Sequence, residues 1–194
     1  MNPAESMVPP RPTALVQEIL RPLIRVADLV IDATAGNGHD TLFLAECVGE
    51  AGRVLAFDVQ QAALESAALR VGPLVSRVEF FLESHVAMAT RAAPASVAVV
   101  MFNLGYLPGE DHDLTTEATE TVAALNAAAA VLKTGGVLSI ICYPGHPAGA
   151  LEAAAVEAWV AMRTLEGWRA ARYGGIGTRR PAPFLLLLVK AATA

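Results

Sequence analysis

Leu29–Thr41, which reads LVIDATAGNGHDT, is the stretch that decides the fold. An apolar run ends in Asp32, a short loop with Gly36 and Gly38 follows, and the next residues can begin a helix. This order predicts a strand, a tight turn and a helix N-terminus. Glycines in such a turn let backbone N–H groups approach a ligand closely, and a helix N-terminus favours negative charge. The stretch therefore predicts a turn that binds a cofactor, either a dinucleotide or S-adenosylmethionine (SAM).

The composition indicates one globular domain. The chain has 194 residues, of which 54% are hydrophobic and 17% charged, enough for one substantial core. We expect a flexible, proline-rich arm at residues 1–12 and a single domain at 13–194. The apolar runs have the length of strands, and the N-terminus lacks the order of a signal peptide, so we expect a cytoplasmic protein with no membrane contact. The two cysteines, Cys47 and Cys142, favour neither a disulfide framework nor a metal site.

Strand and helix patterns alternate along the chain, which predicts an α/β fold with a parallel sheet between two layers of helices. The predicted strands are Val26–Ala33, Arg53–Val59, Val78–Leu82, Val97–Phe102, Val137–Cys142, Trp168–Tyr173 and Phe184–Val189. The first predicted helix has Thr13 as its N-cap and ends near Pro22. The other predicted helices cover His39–Val48, Gln60–Leu69, Val86–Arg91, a segment from Thr115 or Thr116 to Lys133–Gly136, and Leu151–Met162. The last two strands can form a hairpin.

Unusual residues fall at the predicted carboxyl ends of the strands. Ligands of open α/β sheets bind at that edge, so we expect these side chains to face one crevice. They are Asp32, Asp58, Ser84, His85, Asn103, Tyr106, Tyr143 and His146.

Asp32 decides between the two cofactors. A dinucleotide site requires a third small residue after Gly36 and Gly38, and Thr41 stands there, although Asp58 has the right distance for the ribose acid. A carboxylate at Asp32 would repel a pyrophosphate, whereas it can accept hydrogen bonds from an ammonium group or from the turn itself. SAM is therefore favoured, and an NAD-dependent oxidoreductase stays the alternative.

Three motifs together carry a resemblance. The acid-x-x-x-Gly-x-Gly order, Asp58 and the Asn-led loop after the fourth strand resemble the class I SAM-dependent methyltransferases. More narrowly, Asp32–Thr41, Phe102–Gly109 and Tyr143–His146 are similar to a small bacterial family of rRNA methylases that includes the methyltransferase for 5-aminomethyl-(2-thio)uridine of tRNA. The resemblance covers Thr13–Val189. It implies a doubly wound, Rossmann-like, seven-stranded and mostly parallel sheet with an antiparallel last strand.

The resemblance also implies roles for the cofactor residues. We expect Asp58 to bind the ribose hydroxyls, because a carboxylate accepts two hydrogen bonds at once, with Gln60 assisting. The turn should face the methionine part, and Ser84 and His85 the adenine or a ribose hydroxyl. His39 as a helix cap, and Ser84 and His85 as plain loop residues, are the alternatives. The expected cofactor site is Asp32, Thr34, Gly36, Asn37, Gly38, His39, Asp58, Gln60, Ser84 and His85.

For the chemistry we expect Asn103, Tyr106 and His146. Amide oxygens around Asn103 can orient an attacking amine, as in the Asn-Pro-Pro-aromatic loops of amino-methyltransferases, and Tyr106 can stack on a base. His146 is a candidate general base, with a structural histidine as the alternative. Weaker candidate bases are Asp111, His112 and Tyr143. Cys142 as a nucleophile is disfavoured, since a thiol in an apolar strand is ordinary.

The expected partner is RNA, by resemblance the anticodon stem-loop of tRNA. A net charge of −5 argues against nucleic-acid binding, but the C-terminal segment is basic, and either solvated faces or a phosphate-binding patch explain this asymmetry. The Gly109–His112 loop lacks the basic residue usual in the family. An rRNA substrate and a non-catalytic SAM- or RNA-binding module stay open as alternatives. A homodimer is a further hypothesis, because a small catalytic domain without an added RNA-binding domain must span a tRNA stem-loop. The basic residues are Arg163, Arg169, Arg172, Arg179, Arg180 and Lys190.

Overall fold

The computed structural model describes residues 9–105 and 118–192, and its centre is one seven-stranded sheet. The strands are β1 (Leu29–Asp32), β2 (Arg53–Asp58), β3 (Val78–Leu82), β4 (Val97–Leu104), β5 (Leu132–Cys142), β6 (Arg169–Gly174) and β7 (Phe184–Val189). Their order across the sheet is β3-β2-β1-β4-β5-β7-β6. Strand β7 runs antiparallel to both of its neighbours, while the pairs among β1 to β5 are parallel. The predicted doubly wound sheet with an antiparallel last strand is confirmed.

Helices cover both faces of the sheet. They are α1 (Pro12–Leu20), α2 (His39–Val48), α3 (Gln61–Val71), α4 (Met88–Arg91), α5 (Ala118–Val131) and α6 (Pro147–Leu165). Side chains of α1, α2 and α3 share one apolar cluster, and those of α4, α5 and α6 share the other. Successive strand residues alternate between the two clusters, Val30 facing the first and Ile31 the second. The central strands are therefore buried on both faces, which explains their continuous apolar sequences.

Two segments differ from the expectation near β5 and α6. The Lys-Thr-Gly-Gly sequence was expected to end a helix, but β5 begins at Leu132. Gly135 N–H donates to the Lys190 carbonyl at 2.9 Å, and Lys190 N–H donates to the Gly136 carbonyl at 3.0 Å, so main-chain pairing draws this segment into the sheet. Helix α6 begins four residues earlier than expected because Pro147 occupies its first turn, where the missing N–H costs nothing.

The start of α1 also differs from the expectation. Arg11 is the N-cap and Pro12 stands in the first turn, so Thr13 does not cap the helix. The fixed φ of proline suits the first helical position, which explains why the helix begins before Thr13. The helix ends at Leu20, ahead of Pro22, as predicted. Most of the expected arm, residues 1–8, lies outside the described residues, and the division at residue 12 stays a prediction.

No helix in residues 9–105 or 118–192 is long and apolar enough to span a membrane. The same ranges contain no group of three or more His, Cys, Asp or Glu side chains arranged to hold a metal ion.

Candidate active site

Parallel register brings the expected strand ends to one edge of the sheet. Asp32 pairs with Ala56 of β2 on one side and with Met101 of β4 on the other. Asp58 ends β2 beside the end of β3, and Asn103 pairs with Ile141 of β5. The strand ends predicted to share one edge of the sheet therefore do so, with β1 between β2 and β4.

The glycine turn is tied to the neighbouring strand and helix. Ala35 N–H donates to the Phe57 carbonyl and Gly36 N–H to Asp58 Oδ2, both at 2.9 Å. Gly38 has φ +76°, and a Cβ there would lie 2.5 Å from the Cα of Ala67 in α3. Only glycine satisfies both the left-handed conformation and this close approach. Asn37 is exposed at the tip of the turn, and its carbonyl accepts a hydrogen bond from Arg70 Nε.

Asp32 holds the turn in shape. Its side chain is 1% exposed, and both carboxyl oxygens are engaged: Oδ2 accepts from the Thr41 hydroxyl at 2.6 Å and Oδ1 from Thr34 N–H at 3.1 Å. Burial, followed by the nearby Asp40 carboxyl, raises the pKa of Asp32 to about 7. Of the two roles expected for this acid, the structure assigns hydrogen bonds from the turn itself.

Asp58 presents a carboxylate at the end of β2. Its Oδ2 accepts from Gly36 N–H at 2.9 Å and its Oδ1 from Gln60 N–H at 3.0 Å. The side chain is half-buried and keeps lone pairs for further donors. Gln60 thus supports Asp58 through its main chain.

His85 and Ser84 follow β3 in different environments. His85 is 8% exposed; its Nδ1 lies 3.3 Å from the Ala33 carbonyl, and its ring meets Phe102 edge-on with centroids 5.5 Å apart. Burial lowers the pKa of His85, which favours the neutral ring. Its Nε2 is buried and has no hydrogen-bond partner within the described ranges. The Ser84 hydroxyl instead donates to Glu120 of α5 and caps the following 3-10 turn.

Asn103 is held through its main chain. Its N–H donates to Thr34 Oγ1 at 2.8 Å, which links the end of β4 to the residues that follow β1. Its side chain lies near the Asp40 carboxyl and the Tyr143 hydroxyl, where it counteracts the rise that burial causes in the pKa of each. The Asn103 amide therefore lies beside an acid from α2 and a phenol that follows β5.

Asp40 is a site residue for which sequence reasoning gave no role. It lies in the first turn of α2, is 7% exposed, and accepts a hydrogen bond from Gln17 Nε2 of α1 at 2.9 Å. Burial raises its pKa, against the hydrogen bonds from Gln17 and Asn103. The available signal was an acid directly after His39 at a helix start. Such acids are usually exposed, and His39 itself is exposed here.

The remaining expected residues have mixed outcomes. His146 is the N-cap of α6, and its Nδ1 accepts from Gly149 N–H at 3.1 Å, which fits the structural alternative; its role as a base stays a prediction. Tyr106, Asp111 and His112 lie outside the described residues. Cys142 is 1% exposed and burial raises its pKa to about 12, so the thiol is a poor nucleophile.

A cleft of about 450 Å³ lies at the same edge of the sheet. Tyr143 lines it and also reaches the Asn103 side chain. The rest of its wall comes from the start of α1 and from the connection between β6 and β7. Its lining residues are Arg11, Pro12, Thr13, Ile141, Tyr143, Gly175, Ala182 and Pro183.

The arrangement fits a nucleoside cofactor with an amino-acid tail. A half-buried carboxylate suits a pair of ribose hydroxyls, and the unpaired Nε2 of His85 suits a polar group of the cofactor. The fold is that of the class I SAM-dependent methyltransferases. The chain belongs to the family described as "Putative rRNA methylase", whose profile matches residues 54–189.

Relatives agree with this class. A chloroplastic tRNA (mnm(5)s(2)U34)-methyltransferase of Arabidopsis thaliana is 35% identical over 189 residues, 92% of this chain and 69% of that protein. A Clostridium thermocellum protein with the same description as the family superposes with a TM-score of 0.89 at 32% identity, over 95% of this chain and 100% of that one. SMU.1697c, a Streptococcus mutans methyltransferase in complex with SAH, the demethylated cofactor, gives 0.84 at 29% identity, over 94% and 99%. The NAD alternative is set aside.

Proposed function

We propose that this chain transfers a methyl group from SAM to the aminomethyl nitrogen of wobble 5-aminomethyl-(2-thio)uridine in tRNA. One observation carries the choice of substrate: the relative that is 35% identical over 92% of this chain is a tRNA (mnm(5)s(2)U34)-methyltransferase. The site is compatible with an amine nucleophile because the Asn103 amide and the Asp40 carboxyl, both hydrogen-bond partners for an amine, lie together.

The cofactor would lie over β1 and β2. SAM supplies a methyl group on a positively charged sulfur, which is reactive toward an amine. Asp58 would accept hydrogen bonds from the ribose hydroxyls, the turn from Gly36 to His39 would face the methionine part, and His85 Nε2 would pair with the nucleoside. These assignments are supported by the positions of the groups at one sheet edge.

Asn103 would position the substrate amine. A methyl transfer gains most of its rate from holding the nucleophile in line with the methyl carbon and near contact distance. Thr34 accepts a hydrogen bond from the Asn103 backbone N–H, and the Asn103 side chain lies near Asp40 and Tyr143, so the residue has a defined place without a bound substrate. Tyr106 as a stacking partner for the base stays part of the proposal.

RNA would approach over the cleft beside Tyr143. Arg11 lines this cleft, and Arg179 and Arg180 are exposed in the connection that forms its far wall. Positive side chains around a site gain affinity for RNA by neutralising phosphates. The anticodon stem-loop as the bound element, a homodimer and a cytoplasmic location remain predictions.

Mass spectrometry of nucleosides tests the proposal directly. The chain is incubated with SAM and with tRNA that carries 5-aminomethyl-2-thiouridine, and the digested nucleosides are compared with those of a reaction that lacks SAM. We expect conversion to the methylaminomethyl nucleoside. An rRNA substrate is the second candidate, because the matching family bears that description. Methylation of ribosomal RNA alone would replace the tRNA proposal, and methylation of neither RNA would contradict both.

A further inference from the structure

Asp40 is a buried carboxyl surrounded by residues from three other elements. Gln17 of α1 donates to its Oδ1 at 2.9 Å. The Asn103 side chain at the end of β4 and Tyr143 after β5 lie near enough to interact electrostatically with it. The side chain is 7% exposed. Asp40 therefore lies where α1 and the carboxyl ends of β4 and β5 come together.

Acidic and neutral groups make up most of the surroundings of Asp40. Within the described ranges, the titratable groups near it are the Asp32 carboxyl, His39, which favours the charged form of Asp40, and the Tyr143 hydroxyl. Gln17 and Asn103 are neutral, and within residues 9–105 and 118–192 Asp40 forms no ion pair. A buried carboxylate is costly without a positive partner, and functional sites are where such groups occur. A ligand with an ammonium group would supply that partner.

We propose that Asp40 is a catalytic residue that binds the ammonium group of the substrate and accepts its proton. The inference rests on the proposed function, in which the nucleophile is a primary aliphatic amine. Such an amine is protonated at neutral pH and has no free electron pair to attack with. One proton passes from the ammonium nitrogen to an Asp40 carboxylate oxygen, which leaves a neutral amine in contact with Asn103.

The remaining steps balance in atoms and charge. The freed electron pair of the nitrogen forms a bond to the methyl carbon while the carbon–sulfur bond breaks, and that bonding pair stays on sulfur. The product nitrogen carries the methyl group and two protons, and it leaves as a secondary ammonium. The proton on Asp40 returns to water. The raised pKa of Asp40 suits this task, since a stronger base accepts the proton more readily.

Position favours the substrate over the cofactor as the partner of Asp40. The groups suited to the nucleoside, Asp58 and His85, follow β2 and β3, on one side of β1. Asn103 and Tyr143, the neighbours of Asp40, follow β4 and β5 on the other side. Tyr143 also lines the cleft. Asp40 thus lies between the cofactor turn and the cleft, on the side that a substrate would enter.

The test compares Asp40→Asn with Glu46→Gln, a control that removes an exposed carboxylate from the same helix. Asparagine has nearly the same shape and can still accept the Gln17 hydrogen bond. We expect Asp40→Asn to lower kcat for tRNA methylation by about 10²- to 10⁴-fold, the usual contribution of a general base. SAH affinity by calorimetry and the thermal midpoint should stay near those of the control.

A pH profile adds a readout that a merely structural role would not move. In the unmodified chain kcat should fall toward acid as Asp40 becomes protonated, and this fall should be absent from the residual activity of Asp40→Asn. Unchanged kcat, or a loss of SAH affinity as large as the loss of kcat, would overturn the inference and leave the proposed function standing. Removal of the acid-side fall by His146→Asn would assign the proton to His146. Absence of tRNA methylation by the unmodified chain would overturn the proposed function as well.

Discussion

The backbone N–H of Asn103 donates a 2.8 Å hydrogen bond to the side-chain oxygen of Thr34. The two residues are 69 positions apart in the chain, and this bond joins the end of β4 to the cofactor turn. Thr34 in turn donates its own N–H to Asp32 at 3.1 Å. The residue proposed to position the substrate is therefore held by the turn proposed to hold the cofactor.

Replacing Thr34 tests this link. Thr34→Val keeps the shape of the side chain but removes the acceptor, which leaves the Asn103 N–H without its partner. An unpaired donor costs about 1–3 kcal/mol when it is buried, and the Asn103 N–H is part-buried, so we expect the free energy of unfolding to fall by about 1 kcal/mol. We also expect kcat to fall by about tenfold or more, because misplacement of a reacting group slows transfer. Urea denaturation and tRNA methylation measure the two effects. Thr34→Ser retains the hydroxyl and should behave like the unmodified chain; equal losses in both variants would contradict the role of the hydrogen bond.

Asp58 is expected to contribute to cofactor binding. Asp58→Ala should lower SAH affinity by about 10- to 100-fold, because hydrogen bonds to a charged group contribute roughly 1.5–3 kcal/mol. Calorimetric titration with SAH measures the change. Glu79→Ala, which removes an exposed acid from the neighbouring strand β3, is the matched control. Similar affinities for the two variants would refute the ribose assignment.

Asp32 makes stability depend on pH. Its pKa is about 7 in the folded chain against an ordinary value of 3.8, so the folded state holds the extra proton between these values. Stability should therefore fall as pH rises through this range, by at most roughly 1.4 kcal/mol per pH unit from this group. Asp32→Asn removes the titration and should flatten the curve. Urea denaturation at a series of pH values compares the two chains, and an equally steep curve for the variant would show that other groups cause the slope.

Two exposed arginines are expected to bind RNA. Arg179→Glu combined with Arg180→Glu should weaken tRNA binding by about tenfold or more and reduce its salt dependence, because fewer counterions are released. SAH affinity should not change. Arg25→Glu is the control, since Arg25 is exposed before β1, at the opposite edge of the sheet. Filter binding at two salt concentrations measures the effect. A comparable loss in the control would point to net charge rather than to a patch.

Local sequence patterns were sufficient to predict much of the fold. The bounds of α2 and β7 agree with the prediction because glycine or proline stands directly beside them: Gly38 and Gly49 flank α2, and Pro183 precedes β7. The start of β5 differs from the prediction because Gly135 and Gly136 pair with Lys190. A local sequence pattern contains no information on pairing between such distant residues.

The site shows the same division. The strand ends predicted which residues share one edge of the sheet, and Asp32, Asp58 and Asn103 all lie at that edge. The contacts of each side chain could not be predicted from the strand ends. Gln17 meets Asp40 across 23 residues and Ser84 meets Glu120 across 36, and nothing in one sequence marks these pairs. For this reason no role was predicted for Asp40, and Ser84 was predicted to face the nucleoside, whereas its hydroxyl donates to Glu120.

The close approach of Gly38 to Ala67 has a consequence for binding thermodynamics. Gly38 packs on α3, Asn37 accepts from Arg70 of the same helix, and Gly36 donates to Asp58 at the end of β2. Three successive residues of the turn are thus immobilised by one βα unit before a ligand arrives. A loop already ordered gives up little conformational entropy on association, and preorganisation of this kind increases affinity without a new contact. The heat capacity change on cofactor binding should then reflect the surface that the cofactor covers rather than folding of the loop.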